Sequence, residues 1–94
     1  IHSNTFLGAG VLVNSGATIG HETQIGNFSN ISPGVSIGGN CTIGDFVHVG
    51  IGSTIIEKVS VSDLVTIGAG AAVISNIEHT HATYIGVPAN NLDR

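Results

Sequence analysis

Large aliphatic residues recur at every sixth position along almost the whole chain. A period of six fits neither the 3.6-residue period of a helix nor the simple alternation of a strand. It is typical of a solenoid in which each short strand buries one large side chain. The uninterrupted series consists of Ile1, Leu7, Val13, Ile19, Ile25, Ile31, Ile37, Ile43, Val49, Ile55, Val61, Ile67 and Val73.

A second set of residues lies two positions before these aliphatic residues, and all its members are small or β-branched. In a strand, residues two apart point to the same face. Each hexad is therefore predicted to form a short strand with one small and one large side chain inside and the residue between them outside. The second set consists of Thr5, Val11, Ala17, Thr23, Ser29, Val35, Cys41, Val47, Ser53, Val59, Val65 and Ala71.

Three such strands would close one triangular coil, so each coil is predicted to be three hexads long. A residue should then stack on the residue that follows it three hexads later. Glycine often follows the aliphatic residue, and there it is expected to supply the unusual backbone angles of a tight corner. These glycines are Gly8, Gly20, Gly26, Gly38, Gly44, Gly50 and Gly68.

The hexads predict a solenoid domain over residues 1–75, about four coils long. From Ser75 the pattern fails, and His79 stands where the next aliphatic residue is due. Residues 76–94 are predicted to form an irregular C-terminal cap, because the open end of a solenoid needs cover. The chain begins in phase with the repeat and has no initiator Met, so we expect a fragment or a processed product.

Charge is scarce in this chain. Charged residues make up only 9% of the 94 residues, and the formal net charge is −4. The two basic residues, Lys58 and Arg94, are too few to neutralise nucleic-acid phosphates or to hold an anionic membrane surface. No apolar run is long enough to span a bilayer, and no signal-peptide pattern opens the chain. These features argue against nucleic-acid and membrane partners.

The single cysteine, Cys41, lies at one of the small inward positions. It is interpreted as a packing residue and not as a nucleophile. One cysteine allows no internal disulfide and no cysteine-based zinc site, and no bound metal is expected. Its presence as a free thiol is compatible with the reducing cytoplasm, where we expect the protein.

Among the five histidines, His21 is the one whose position the repeat does not explain. It lies at a corner, two residues after Ile19, and Glu22 follows it directly. A corner side chain points outward, so packing gives no reason for it. Taken alone, these two residues are most simply interpreted as a solvated pair in a turn. The surrounding sequence favours a catalytic role instead.

The segment from residue 20 to residue 34 reads GHETQIGNFSNISPG. Together with GGN at 38–40, IGAGA at 67–71 and GVPA at 86–89, it resembles the hexapeptide-repeat sugar O/N-acyltransferases. That group includes the bacillosamine, perosamine and sialic acid acetyltransferases, and the resemblance covers nearly the whole chain. It implies an all-β fold, a left-handed parallel β-helix, and an acetyl-CoA-dependent acetyltransferase.

The same resemblance implies roles for three residues. The histidine matching His21 is the general base that takes a proton from the acceptor amine, a task that suits a group titrating near neutral pH. Glu22 would orient the ring and favour the imidazolium that forms. The backbone N–H of Gly39 would bind the oxyanion of the tetrahedral intermediate.

The resemblance also implies where the ligands bind. Acetyl-CoA, the cosubstrate, would lie in a groove between subunits beside Asn30, Gly39, Ile51 and Ala69, and the acceptor sugar would lie near Asn14. Family members often carry a second histidine where this chain has Asn30. Our hypothesis is that His21 acts alone and that Asn30 is a hydrogen-bonding contact.

The implied partners are other copies of the chain and a nucleotide-linked amino sugar. The family is homotrimeric, with its active sites at subunit interfaces, and it serves polysaccharide biosynthesis. Part of its acceptor site is built by an N-terminal nucleotide-sugar-binding domain, which we expect to precede this fragment in the whole protein.

Several other functions remain to be compared with N-acetylation. Sugar or sialic acid O-acetylation uses the same chemistry, and a degenerate, non-catalytic β-helix would keep the same repeat. A γ-type carbonic anhydrase is disfavoured because His21 and His48 lie one and a half coils apart, on different parts of the prism. An ice-binding solenoid is disfavoured because the outward positions form no regular rank of threonines.

Overall fold

The computed structural model describes residues 3–92, which form the predicted all-β, left-handed parallel β-helix of about four coils. The described chain extends 36 × 21 × 20 Å. The predictions made for Ile1 and Arg94 lie outside the described residues. Within residues 3–92 there is no helix long and apolar enough to cross a bilayer.

Short strands follow one another at intervals of six residues, as the hexads predict. They are β1 (Phe6–Leu7), β2 (Leu12–Val13), β3 (Thr18–Ile19), β4 (Gln24–Ile25), β5 (Asn30–Ile31), β6 (Ser36–Ile37), β7 (Thr42–Ile43), β8 (His48–Val49), β9 (Thr54–Ile55), β10 (Ser60–Val61), β11 (Thr66–Ile67), β12 (Ala72–Val73), β13 (Thr83–Ile85) and β14 (Asn90–Asn91).

The strands form the three faces of a prism. Within each face neighbouring strands are parallel, except that β14 runs antiparallel to β13. One face is β1-β4-β7-β10, the second is β2-β5-β8-β11-β13-β14, and the third is β3-β6-β9-β12. Thr18 is paired with Ser36, and Asn30 is paired with His48. The members of both pairs are three hexads apart in the sequence, which confirms the predicted length of the coil.

The core is a column built from the two inward positions of each hexad. Among its members, Ile19 and Ile31 are completely buried, and each such side chain contributes about 2 kcal/mol of hydrophobic stabilisation. Inward hydroxyl groups are satisfied by the next coil, because Thr23 Oγ1 donates to the Gly38 carbonyl at 2.8 Å and Ser29 Oγ donates to the Gly44 carbonyl at 2.7 Å.

Cys41 occupies the same inward position and is 1% exposed, which confirms it as a packing residue. Its Sγ lies 3.2 Å from the Ile56 carbonyl, where the hydroxyl groups of other coils donate. Burial raises the pKa of the Cys41 thiol, so it stays protonated near neutral pH.

The predicted role of the glycines that follow the strands is wrong. The left-handed backbone does not occur at those glycines but two residues after them, at the positions Gly10, Glu22, Phe28, Asn40, Phe46, Gly52 and Gly70. The glycine after the strand is needed for close stacking instead. A Cβ on Gly38, for example, would lie 2.6 Å from the backbone nitrogen of Glu57 in the next coil.

The tail continues the prism before it turns back. Ile77 is 3% exposed and bridges Val61, so it takes the inward place that the repeat assigns to His79. This turn of the chain is shortened by two residues, which hides the repeat in the sequence. Strand β13 then adds to β11, and β14 folds back on β13 in the antiparallel direction.

Candidate active site

His21 lies at the corner between β3 and β4, and the residues of the next coils stack above it at intervals of three hexads. The stack is held by the backbone, because the Asn40 N–H donates to the His21 carbonyl at 2.9 Å and the Lys58 N–H donates to the Gly39 carbonyl at 3.0 Å. We call the adjoining cavity the first groove. It measures ≈ 420 Å³ and is lined by His21, Ser36, Ile37, Gly38, Gly39, Asn40, Thr54, Ile55, Ile56 and Glu57.

The His21 imidazole and the Glu22 carboxylate lie side by side on this corner. His21 Nδ1 is 3.5 Å from Glu22 Oε1, and the two side chains are 58% and 55% exposed. The separation is longer than a hydrogen bond, and an exposed pair of this kind contributes little to stability. The carboxylate does occupy the Nδ1 side of the ring, which leaves Nε2 for another partner.

Gly39 lies against the other side of the His21 ring. A Cβ on Gly39 would be 3.1 Å from His21 Nε2 and 3.2 Å from His21 Cε1. The absence of a side chain therefore keeps open the space next to Nε2. Within residues 3–92 the Gly39 N–H donates no hydrogen bond, so this donor is available to a ligand.

The corresponding N–H groups at the corner between β4 and β5 have partners within the chain. A ladder of side chains accepts from them: Asn27 Oδ1 from the Ala9 N–H at 2.9 Å, Asp45 Oδ1 from the Asn27 N–H at 2.7 Å, and Asp63 Oδ1 from the Asp45 N–H at 2.8 Å. At the His21 corner the matching positions hold Gly39 and Glu57 instead of Asn or Asp. No such ladder forms there, and the Gly39 N–H is left without an acceptor among residues 3–92.

Four other predicted site residues come together around a second cavity, on the face of β5, β8 and β11. We call it the second groove. It measures ≈ 610 Å³ and is lined by Asn14, Asn30, Ser32, Pro33, His48, Gly50, Ile51, Thr66, Ile67, Gly68 and Ala69. Asn14 Nδ2 donates to the Ile31 carbonyl at 2.8 Å and approaches Asn30 Oδ1 at 3.4 Å. Asn30 Nδ2 in turn lies 3.2 Å from His48 Nδ1.

The predicted residues are thus divided between two grooves of one chain. His21 and Gly39 line the first groove, with Glu22 beside them. Asn14 and Ile51 line the second groove, and so do Asn30 and Ala69. A single chain does not bring the second set to the imidazole of His21.

Among the residues that line the grooves, two with ionisable side chains were not singled out as site residues from the sequence. Glu57 lies one coil after Gly39, and His48 lies one coil after Asn30. The spacing of three hexads was the available signal, since it stacks each of them on a predicted site residue. In the described part of the chain, no group of three or more His, Cys, Asp or Glu residues could hold a metal ion.

The corner between β4 and β5 carries a row of exposed apolar side chains, which we call the Phe corner: Phe28, Phe46 and Leu64. The two rings stack with centroids 5.4 Å apart, and each is 57% exposed. All three residues have a left-handed backbone, with φ between 55° and 60°. Large side chains rarely adopt this conformation, so the row carries a backbone cost in addition to its exposed apolar surface.

Comparisons with known proteins support the resemblance found in the sequence. Residues 16–50 match the family model described as bacterial transferase hexapeptide (six repeats). No curated protein sequence is significantly similar to the chain.

Solved structures match a much longer part of the chain than the family model does. The acetyltransferase domain of PglB from Neisseria gonorrhoeae is 34% identical, with a TM-score of 0.85 over 95% of this chain and 46% of that one. The same domain has been solved with acetyl coenzyme A, at a TM-score of 0.84, 34% identity and the same coverage of both chains. Serine acetyltransferase from Neisseria gonorrhoeae is 29% identical, with a TM-score of 0.88 over 97% of this chain and 38% of that one.

The chain spans less than half the length of these proteins. Over that length, its likeness to hexapeptide-repeat acyltransferases with a left-handed β-helix is confirmed.

Proposed function

We propose that this chain is the β-helix part of an acetyl-CoA-dependent N-acetyltransferase that acts on the amino group of a nucleotide-linked amino sugar. The observation that carries the proposal is the placement of His21 Nε2 next to the side-chain-free Gly39, at the edge of an open groove. The likeness to the acetyltransferase domain of PglB, solved with acetyl coenzyme A, supports the choice of cosubstrate.

The chemistry uses the two groups at the His21 corner. The amine nitrogen attacks the thioester carbon and forms the new C–N bond, while His21 Nε2 takes the proton that the amine loses. The carbonyl oxygen becomes an oxyanion, and the free Gly39 N–H donates a hydrogen bond to it. The intermediate then breaks its C–S bond and releases CoA, whose thiolate recovers the proton from His21. Glu22, on the Nδ1 side, stabilises the imidazolium in between.

In this proposal, a complete active site forms only when the grooves of two neighbouring chains meet in an oligomer. The second groove of one chain binds the cofactor and faces the first groove of its neighbour, so a homotrimer contains three complete sites. The division of the predicted residues between two grooves supports this arrangement. The exposed Phe corner supports assembly as well, because water is a poor environment for Phe28 and Phe46 and a subunit contact would bury them.

O-acetylation is the second candidate. The 29% identity with the serine acetyltransferase of Neisseria gonorrhoeae favours it, because a hydroxyl acceptor needs the same general base and oxyanion donor. The two reactions differ in the acceptor atom, which is an amine nitrogen in one and a hydroxyl oxygen in the other.

A calorimetric titration with acetyl-CoA tests the proposal first. We expect saturable binding near one cofactor per chain for both the wild type and His21→Ala, because His21 acts on the acceptor and does not hold the cofactor. Turnover is then followed by the release of the CoA thiol with a panel of nucleotide-linked amino sugars and serine. His21→Ala should lose about 10³-fold in turnover with the accepted substrate.

His81→Ala is the matched control, because His81 is exposed in the tail and lines neither groove. It should bind and turn over like the wild type. Absence of saturable acetyl-CoA binding by folded protein would refute the proposal, as would undiminished turnover by His21→Ala. The acceptor that is used decides between N- and O-acetylation.

A further inference from the structure

A row of polar side chains crosses three coils on the face of the second groove. It starts at Asn14, passes through Asn30 and ends at His48. Of these, His48 has no role in the proposed chemistry, although its ring lines the groove. The direction of the hydrogen bonds along the row determines which nitrogen of the His48 ring carries the proton.

The row is oriented by one backbone carbonyl. The Ile31 carbonyl can only accept, so the Asn14 atom that lies 2.8 Å from it is the amide nitrogen. The same nitrogen approaches the Asn30 side chain at 3.4 Å, and a favourable contact there requires the Asn30 oxygen. The other end of the Asn30 amide is therefore its NH₂ group, which lies 3.2 Å from His48 Nδ1.

A nitrogen that receives this hydrogen bond cannot carry a proton itself. His48 Nδ1 is therefore the acceptor, and the neutral ring carries its proton on Nε2. Within residues 3–92 the His48 Nε2–H has no partner. It is thus a donor of defined tautomer on a groove wall that also contains Ile51, Thr66 and Ala69.

We propose that the His48 Nε2–H binds a carbonyl oxygen of acetyl-CoA in the second groove, and that Asn14 and Asn30 are positioning residues that hold it in the donating tautomer. The inference rests on the proposed function for the identity of the ligand. The cofactor carries two amide carbonyls in its pantetheine arm and one thioester carbonyl, all of which accept such a bond.

The first experiment reads the tautomer directly. Long-range proton–nitrogen correlation spectra of ¹⁵N-labelled protein distinguish an Nε2–H ring from an Nδ1–H ring. We expect the Nε2–H form for neutral His48 in the wild type. In Asn30→Asp the facing atom can only accept, so a proton should appear on Nδ1. The signals of His79 and His81 should stay unchanged, because both lie in the tail. An Nδ1–H ring in the wild type overturns the inference.

The second experiment measures the bond to the cofactor with two substitutions of opposite design. His48→Asn keeps an amide near the place of Nδ1 but cannot reach that of Nε2, whereas His48→Gln places an NH₂ group near Nε2. We expect the Kd for acetyl-CoA to rise about tenfold in His48→Asn and to return to within about threefold of the wild type in His48→Gln. His81→Asn, the same change in the tail, should leave the Kd unchanged.

The outcomes separate this inference from the proposed function. If the wild type binds acetyl-CoA and His48→Asn binds it equally well, the role of His48 is wrong and the proposed function stands. Equal losses in His48→Asn and His48→Gln also overturn it, because they indicate a structural role of the ring. If folded wild type binds no acetyl-CoA, the proposed function and the ligand assigned to His48 fail together.

Discussion

At the scale of single residues, Gly39 shows how a missing side chain creates a site. The neighbouring coils place His21 below Gly39 and Glu57 above it, and the ring of His21 covers the space where a Gly39 side chain would be. A Cβ there would approach two ring atoms at 3.1 and 3.2 Å, which is closer than ordinary van der Waals contact. The missing side chain therefore leaves room for the imidazole beside the Gly39 N–H.

Substitution of Gly39 by alanine should reduce turnover far more than stability. The ring of His21 must move by a few tenths of an ångström, and the thioester loses its close approach to the N–H. We expect turnover with the accepted substrate to fall about 10²-fold, with a loss of less than about 1 kcal/mol in the free energy of unfolding. Steady-state kinetics and urea denaturation measure the two quantities.

Gly52→Ala is the control for this prediction. Gly52 has a φ of 69°, and a Cβ there would meet nothing within 4 Å. Alanine should cost about 1 kcal/mol of stability through its left-handed backbone and should leave turnover intact. If Gly39→Ala retains full turnover, or if Gly52→Ala loses as much of it, the special role of Gly39 is contradicted.

At the scale of the repeating element, the glycine that follows a strand limits how closely the coils stack. The sequence predicted these positions correctly, and the reason given for them was wrong. The periodicity shows where the chain turns, but the contact between Gly38 and the Glu57 backbone exists only when two coils lie on each other. A pattern read along one strand does not contain that distance.

Gly38→Ala should therefore be more destabilising than Gly52→Ala. Its Cβ would lie 2.6 Å from the nitrogen and 2.8 Å from the Cα of Glu57, and backbone atoms cannot move aside as a flexible side chain can. We expect a loss of about 3 kcal/mol in the free energy of unfolding, against about 1 kcal/mol for Gly52→Ala. Urea denaturation of both variants measures the difference, and equal losses would show that stacking is not the constraint.

At the scale of the whole molecule, the predicted site residues are divided between two grooves, and trimers mixed from two different variants test this division. His21→Ala disables the first groove, and Ala69→Trp fills the second groove with a large side chain. Each variant alone should be inactive. In randomly mixed trimers of the two, about a quarter of the sites combine an intact first groove with an intact second groove from the neighbour, so about a quarter of the activity should return.

Co-refolding of the two inactive variants, followed by the turnover assay, measures this recovery. The control is a mixture of His21→Ala with the double variant that carries both substitutions, which contains no complete site. Activity in that control would show that His21 is not required for turnover. No recovery in the test mixture of folded and assembled protein would place the whole site within one chain.

The sequence alone determined the three-sided solenoid, the register of three hexads per coil and the inward columns. It could do so because a period of six fits short strands that each bury one large side chain, and because burial selects aliphatic residues at every coil. It also marked His21 and Glu22, since a corner has no packing use for them. The continuation of the prism through Ile77 was missed because two residues are absent from the shortened turn.

Only the tertiary structure decided which residues face each other across coils. The free N–H of Gly39, the sorting of predicted residues into two grooves, and the row from Asn14 to His48 all depend on distances between stacked coils. The sequence places Asn30 and His48 one coil apart, which predicts that they are neighbours. The direction of their hydrogen bond follows from a single backbone carbonyl, and no pattern of residue types contains that information.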